Sequence, residues 1–218
     1  MNENELLEEL LSRRDADQAA RSAVARRERE ALAHVMQIDD ANGLWLAKII
    51  ETAGWPGRSL VGDEGAHAAW LLAQHADRRP ALQRRCLHLL EEAVAVGDAS
   101  PTDLAYLTDR VLLASGEQQI YGTQMTARDG QFVACRLRAP ETVDDRRASV
   151  GLGTLAAHLR NALDLYGPPS PAPMLCPQCH GEIDVWLPEP GGQSTVECPG
   201  CHSIATIRPD IPSRKTLG

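Results

Sequence analysis

Cys176-Pro-Gln-Cys179 and Cys198-Pro-Gly-Cys201 constrain this chain more than any other feature. Two Cys-x-x-Cys pairs separated by 18 residues have the spacing of a zinc ribbon. Each pair forms a tight knuckle that aims two thiolates at one point. Two knuckles at the open ends of a hairpin complete a tetrahedron. With four protein sulfurs around the metal, no position stays open for water or substrate. The expected zinc, one per chain on Cys176, Cys179, Cys198 and Cys201, is therefore structural. A core this small cannot fold by burial alone, and structural zinc contributes about 10–16 kcal/mol in finger peptides.

The alternatives fit less well. A disulfide framework belongs to small secreted domains, yet the rest of the chain holds only Cys86 and Cys135. A redox motif needs one Cys-x-x-Cys at a helix start, not two matched pairs. Glu182–Leu187 and Ser194–Glu197 alternate polar and apolar residues, and Gly191-Gly192 supplies turn material between them. His180 and His202 follow the knuckles directly. The four thiolates leave them no ligand role, so they read as exposed residues or donors to sulfur.

The chain has 218 residues, enough for one medium domain plus a small module. Only 4% of residues are aromatic, so the core must be built from Leu, Ala, Val and Ile. The net charge of −8, with Glu182, Asp184, Glu189 and Glu197 in the ribbon, argues against nucleic acid, whose binding needs basic patches. The acidic N-terminus has no basic start or apolar run of a signal peptide. No apolar stretch approaches the ~20 residues that span a bilayer. A cytoplasmic protein without membrane contact is expected, and reduced thiols suit that compartment.

Periodicity predicts a mainly α-helical fold with one β-hairpin, followed by the ribbon. Residues 1–38 read as an N-terminal helical extension with a stripe of Leu6, Leu7, Leu10 and Leu11, and with a solvated charged face at Arg26 to Glu30. Asp39-Asp40-Ala41-Asn42-Gly43 reads as a break. The helical domain then covers 39–167. It has helices through Trp45 to Ile50, from Asp63 to Asp77, from Pro80 to Gly97, and from Ser100-Pro101 to Gly116. Gln119–Thr126 and Gln131–Leu137 flank an Asp129-Gly130 turn. Helix returns over Glu141 to Leu165, interrupted at Gly151 and Gly153. Residues 168–174 form a Pro-rich linker, 175–208 the ribbon, and 209–218 a mobile tail.

A series of short polar strings punctuates the helical domain. They are Gly54-Trp55-Pro56, Val61-Gly62, Gln74-His75-Ala76-Asp77, Leu107-Thr108-Asp109-Arg110, Tyr121-Gly122-Thr123-Gln124 and Val143-Asp144-Asp145-Arg146-Arg147. As an ordered set over about residues 37–166 it resembles a bacterial family catalogued as a domain of unknown function. The resemblance implies that these strings are the family's signature and that the ribbon is an added module. The Cys-Pro-x-Cys knuckles are also similar to those of small acidic carrier proteins for amino acids. This chain departs from them by ending Arg-Lys-Thr-Leu-Gly, where they carry an acidic tail.

Within these strings, His75 titrates nearest working pH and is the candidate general acid/base, with Asp77 or Asp109 to orient it. The competing reading buries His75 as a hydrogen-bonded core residue and makes Asp77 a cap for the helix at Pro80. Asp109 flanks a helical stripe and is the favoured partner of His75. Arg110 can hold a carboxylate or phosphate, or tie two helices together. Tyr121 and Thr123 face one side of an extended segment and Gln124 the other, as hydrogen-bonding groups around Gly122. Arg147 can reach the same pocket. His67 lies eight residues before His75, not at the spacing of a zinc-binding helix, so no second metal is expected. Cys86 and Cys135 read as core. His75, Asp109, Arg110, Tyr121 and Gln124 are expected to converge on one concavity.

Three functions remain open on these grounds. The leading one is recognition of a polar small molecule or peptide by the helical domain, with the ribbon or N-terminal helix docking a protein partner. The second is an enzyme using His75. The third is a scaffold without a pocket.

Overall fold

The computed structural model describes residues 2–25, 31–169, 171–188 and 192–208. The Arg26–Glu30 cluster, Gly191 of the expected turn and the 209–218 tail lie outside them. Among the described residues there are seven α-helices and six short strands, so the fold is mainly α. The chain divides into two compact units, Met1–Val111 and Leu112–Gly218.

The first unit contains α1 (Glu3–Ala25), α2 (Ala31–Thr52), α3 (Arg58–Gln74), α4 (Pro80–Ala95) and most of α5 (Pro101–Ala114). α1 opens with a reciprocal cap. The Glu5 N–H donates to Asn2 Oδ1 at 2.9 Å, and the Asn2 N–H donates to Glu5 Oε2 at 2.8 Å. α1 packs on α2 and α3. Its Leu6 and Leu10 are buried in the same cluster as Leu46, Ile50, Leu72, Cys86, Leu90 and Leu107. The segment expected as an extension is thus part of the core.

Small residues let these helices approach. Ala68, Ala69 and Ala73 of α3 are wholly buried, and a Cβ at Gly65 would stand 2.9 Å from Leu7 Cδ1 of α1. The expected break at Asp39–Gly43 is not there, because α2 runs through it. Packing overrides the weak helix propensity of these residues. Asn42 is buried and accepts from Arg13, while Gly43 leaves room for the Arg79 side chain, whose Cδ lies 2.8 Å from where a Cβ would sit. α3 begins earlier than expected and kinks at Gly62, whose φ is 69°. α4 and α5 start where Pro80 and Ser100-Pro101 predict, and Ser100 Oγ accepts the Asp103 N–H.

The second unit carries the expected hairpin, shorter than predicted: β1 (Met125–Arg128) against β2 (Gln131–Ala134). Asp129 and Gly130 both have positive φ, as a two-residue hairpin turn requires. Residues 120–124, predicted as strand, form an irregular loop. A short 3₁₀ turn (Pro140–Thr142) leads into α6 (Val143–Ser149) and α7 (Leu155–Tyr166), separated at Gly151–Gly153.

The ribbon follows as β3 (Ala172–Leu175), β4 (Glu182–Val185), β5 (Ser194–Glu197) and β6 (Ile204–Ile207). β3 pairs with β4, and β5 with β6. The expected pairing of β4 with β5 is replaced by two hairpins, each with a knuckle at its turn. The last residues assigned to the linker, 172–174, are strand. Ile183, Val185, Ala205 and Ile207 form its small core with Cys176 and Cys198.

Candidate functional site

In the first unit, three helices bring charged side chains together. α1 presents Arg13, Asp17 and Arg21 at four-residue spacing, which puts them on one face. α2 presents Asp39 and Asn42. His75 caps the C-terminal end of α3. Both carboxylate oxygens of Asp17 lie 3.0 Å from His75 Nδ1. Arg21 Nε lies 3.2 and 3.3 Å from the same two oxygens, and its NH2 donates to Asp39 Oδ1 at 2.6 Å. Gln18 Nε2 donates to Asp17 at 2.8 Å. Asp17 is 1% exposed, so this is a buried carboxylate receiving several donors.

The two carboxylates of the cluster are driven apart in pKa. Burial raises that of Asp17, but the hydrogen bond and charge of His75, together with Arg21, outweigh it and leave the pKa lowered. Burial also raises that of Asp39, and there Arg21 and His75 do not overcome it, helped as burial is by repulsion from Asp17. Two carboxylates with opposed shifts beside one imidazole are a recurring feature of sites that move protons.

Asp77, just past α3, is tied to α5 and α4. Arg110 Nε donates to its Oδ1 at 2.7 Å, and Gln83 Nε2 donates at 3.0 Å. Burial raises the Asp77 pKa, but Arg110 and Gln83 bring it down overall. Asp77 does not cap α4, whose cap position is Arg79 and carries no side-chain cap bond. The charge of His75 is felt at Asp77, and that of Asp39 at Arg110, so the two ion-paired groups belong to one electrostatic neighbourhood. Asp109 was the expected partner of His75. It is fully buried in α5, and the carboxylate on Nδ1 is Asp17 instead.

Tyr121, Thr123, Gln124 and Arg147 belong to the second unit, so the expected set is divided between the two units. There the polar strings hold an irregular loop in place. Gln119 is wholly buried and donates Nε2 to the carbonyls of Gln124 and Cys135, both at 2.9 Å, while its Oε1 accepts the Gln124 N–H. Arg147, expected as a ligand-binding residue, is 2% exposed. It donates to the carbonyls of Gly153, Tyr121 and Gly122. Arg146 donates to the carbonyls of Ile120 and Arg138. Buried carbonyls need hydrogen-bond donors, and these arginines supply several of them to the loop.

Cys176, Cys179, Cys198 and Cys201 place their sulfurs within 4.8 Å of one another. The Cys176–Cys201 and Cys179–Cys198 separations are 3.7 and 3.6 Å. Sulfurs about 2.3 Å from a tetrahedral metal stand about 3.8 Å apart, so the cluster fits such an ion. The knuckles are copies of each other. His180 N–H donates to Cys176 O and His202 N–H to Cys198 O, at 2.9 and 2.8 Å, and both histidines have positive φ. His202 Nδ1 meets Glu197 Oε1 at 2.9 Å, outside the sulfur cluster. Ser203 Oγ lies 3.4 Å from Cys176 and 3.0 Å from Cys201, and together with the backbone N–H groups of Cys179 and Gln178 it lowers the Cys176 pKa to about 6. By contrast, burial pushes the core thiol of Cys86 up to about 12, which removes it as a nucleophile. No helix among the described residues is long and apolar enough to cross a membrane.

Residues 4–169 match the model of the Family of unknown function (DUF6624), and the chain belongs to that family. The match begins within α1, well before the resemblance traced from the polar strings, and it ends before the four cysteines. No curated protein and no solved structure matches the chain.

Proposed function

We propose that the first unit carries an acid–base site in which His75 transfers a proton to or from a polar substrate, while the ribbon holds one structural zinc. One observation carries this reading: the buried Asp17 carboxylate faces His75 Nδ1 with both oxygens at 3.0 Å. A carboxylate facing Nδ1 requires a proton there. The Arg21 Nε–H is shared, with Nε 3.1 Å from Nδ1 and 3.2 and 3.3 Å from the Asp17 oxygens, so with Nδ1 protonated the carboxylate is its acceptor. The neutral imidazole is thereby held as the Nδ1–H tautomer, with Nε2 as the basic nitrogen. Among the described residues, Nε2 has no hydrogen-bond partner. Burying several charges together costs several kcal/mol per ion, which apolar packing at the same place would not incur. That cost suits a site kept for chemistry.

The zinc assignment rests on ligand type and sulfur spacing. Four thiolates leave no open position, so the metal would supply folding energy and no reaction step. Four reduced thiolates suit a cytoplasmic setting.

The experiment is turnover of a panel of ester, phosphate, glycoside and amide probes by the full chain and by His75→Gln and Asp17→Asn. Activity in the wild type should vanish in His75→Gln, whose melting temperature stays within a few degrees. Asp17→Asn should reduce the rate and displace its pH profile. If His75→Gln is fully active, the site is lost. A drop of about 1–3 kcal/mol in stability, with unchanged activity, would make His75 a structural residue.

A further inference from the structure

A second Asp–His pair joins α3 to α5, with His67 two turns before His75, and opens on a hollow of about 230 Å³. His67 Nδ1 is 3.1 Å from Asp103 Oδ2 and 3.2 Å from Oδ1. Arg58 Nε is 2.6 Å from Asp63 Oδ1. These two ion pairs line the hollow, with Ala66, Leu90 and Ala99 as its apolar lining.

The charged groups are held in place. Arg58 NH1 donates to the carbonyls of Gly97 and Ala99 at 3.3 and 3.1 Å, which fixes the guanidinium. The His67 ring rests on Trp70, with centroids 4.7 Å apart. Asp103 sits in the first turn of α5, its N–H bonded to Ser100 Oγ. Such second contacts separate a preformed site from a set of loose surface charges.

We propose that this hollow binds a small zwitterion, an α-amino acid with a short aliphatic side chain. Size is the first argument. The volume lies below the roughly 300 Å³ at which pockets for drug-sized ligands begin, which leaves a ligand of amino-acid size. Charge is the second. Arg58 and a protonated His67 balance Asp63 and Asp103, so the lining is neutral overall but strongly polar. A net anion or cation would leave one sign of lining charge opposed, while a zwitterion meets both. The hydrogen bond that His67 donates to Asp103 raises the His67 pKa, which favours the imidazolium. The apolar lining is the third argument: Ala66, Leu90 and Ala99 suit a short hydrocarbon side chain, with Ser100 and Thr102 completing the wall.

The test is calorimetric titration of the full chain with alanine, valine, glutamate and lysine, and with N-acetylalanine and alanine methyl ester. Alanine or valine should bind. Blocking the carboxylate or the amine should weaken binding about tenfold or more. His67→Gln and Asp63→Asn should each weaken alanine or valine by a similar factor. Asp63 is exposed, so Asp63→Asn tests the site without endangering the fold. His75→Gln should leave amino-acid binding unchanged, so this site stands or falls apart from the proton-transfer reading. Equal binding of the blocked compounds would overturn the proposal. So would full affinity in both His67→Gln and Asp63→Asn, or no binding of alanine and valine at about 10 mM.

Discussion

The four-cysteine cluster and the His75 cluster are assembled by different routes. Each cysteine pair is brought together within four residues, and the two hairpins then need only to meet. The His75 cluster takes residues from α1, α2 and α3, separated by up to 58 positions along the chain. Local spacing determines the first almost completely. Tertiary packing creates the second, and no spacing rule points to it. The two also differ in what charge does. In the ribbon, thiolates gather where a metal would neutralise them. In the helical unit, Arg21 serves as the counter-charge of Asp17 and Asp39.

This contrast sets the order of expected effects. Cys176→Ser or chelation should remove most of the metal's contribution, which is about 10–16 kcal/mol in small structural sites. Circular dichroism should then show intact helix, while proton NMR shows loss of the ribbon's dispersed signals. Helical unfolding in parallel would mean that the ribbon is not energetically separate. Next comes Asp17→Ala, which strands Arg21 and His75 beside an uncompensated gap. Chemical denaturation should show a loss of about 3–5 kcal/mol, the usual cost of removing one member of a buried charge pair. A change under 1 kcal/mol would mean that the cluster is solvated and weak.

The loop of the second unit ranks third. Gln119→Leu removes the three hydrogen bonds that its buried amide makes to Gln124 and Cys135, at about 1 kcal/mol each. A neutral result would show that water replaces the amide. The smallest effect concerns His67, which is half exposed. Its folded-state pKa is raised, so the stability it contributes is fully present below the ordinary value of 6.5. That stability is lost as pH rises through the raised value. Asp103 causes the rise, against burial and the more distant Arg14. Melting temperatures should fall slightly over that interval in the wild type, and His67→Gln should flatten the curve. A wild-type curve already flat there would remove the Asp103 pairing.

Several elements were legible because their signals are local. Pro80, Ser100-Pro101 and Asp129-Gly130 each act within one turn and appear where the sequence places them. Asn42 and Gly43 do not break α2 because these turn-forming residues serve packing, with Arg13 on Asn42 and Arg79 over Gly43. The apolar stripe of α1 does not by itself point to Asp17 and Arg21. A signal was present: Arg13, Asp17 and Ala20 continue the stripe of Leu6 and Leu10 at helical spacing. Charged residues on a buried face point to partners elsewhere in the fold. Asp109 lies on a helix flank that can meet a neighbour, but helical angle alone cannot say which neighbour. Similarly, Arg147 carries a charge suited to a ligand, and only the folded loop shows that its guanidinium is committed to carbonyls.

The account turns on which nitrogen of His75 carries the proton. Long-range ¹H–¹⁵N correlation NMR of the full chain, run above the histidine's titration, reads this directly. The His75 ring should show a protonated Nδ1 and an unprotonated Nε2, and Asp17→Asn should shift that balance. A His75 ring protonated at Nε2 in the wild type would contradict the account, because Asp17 would then not be holding the imidazole as a base.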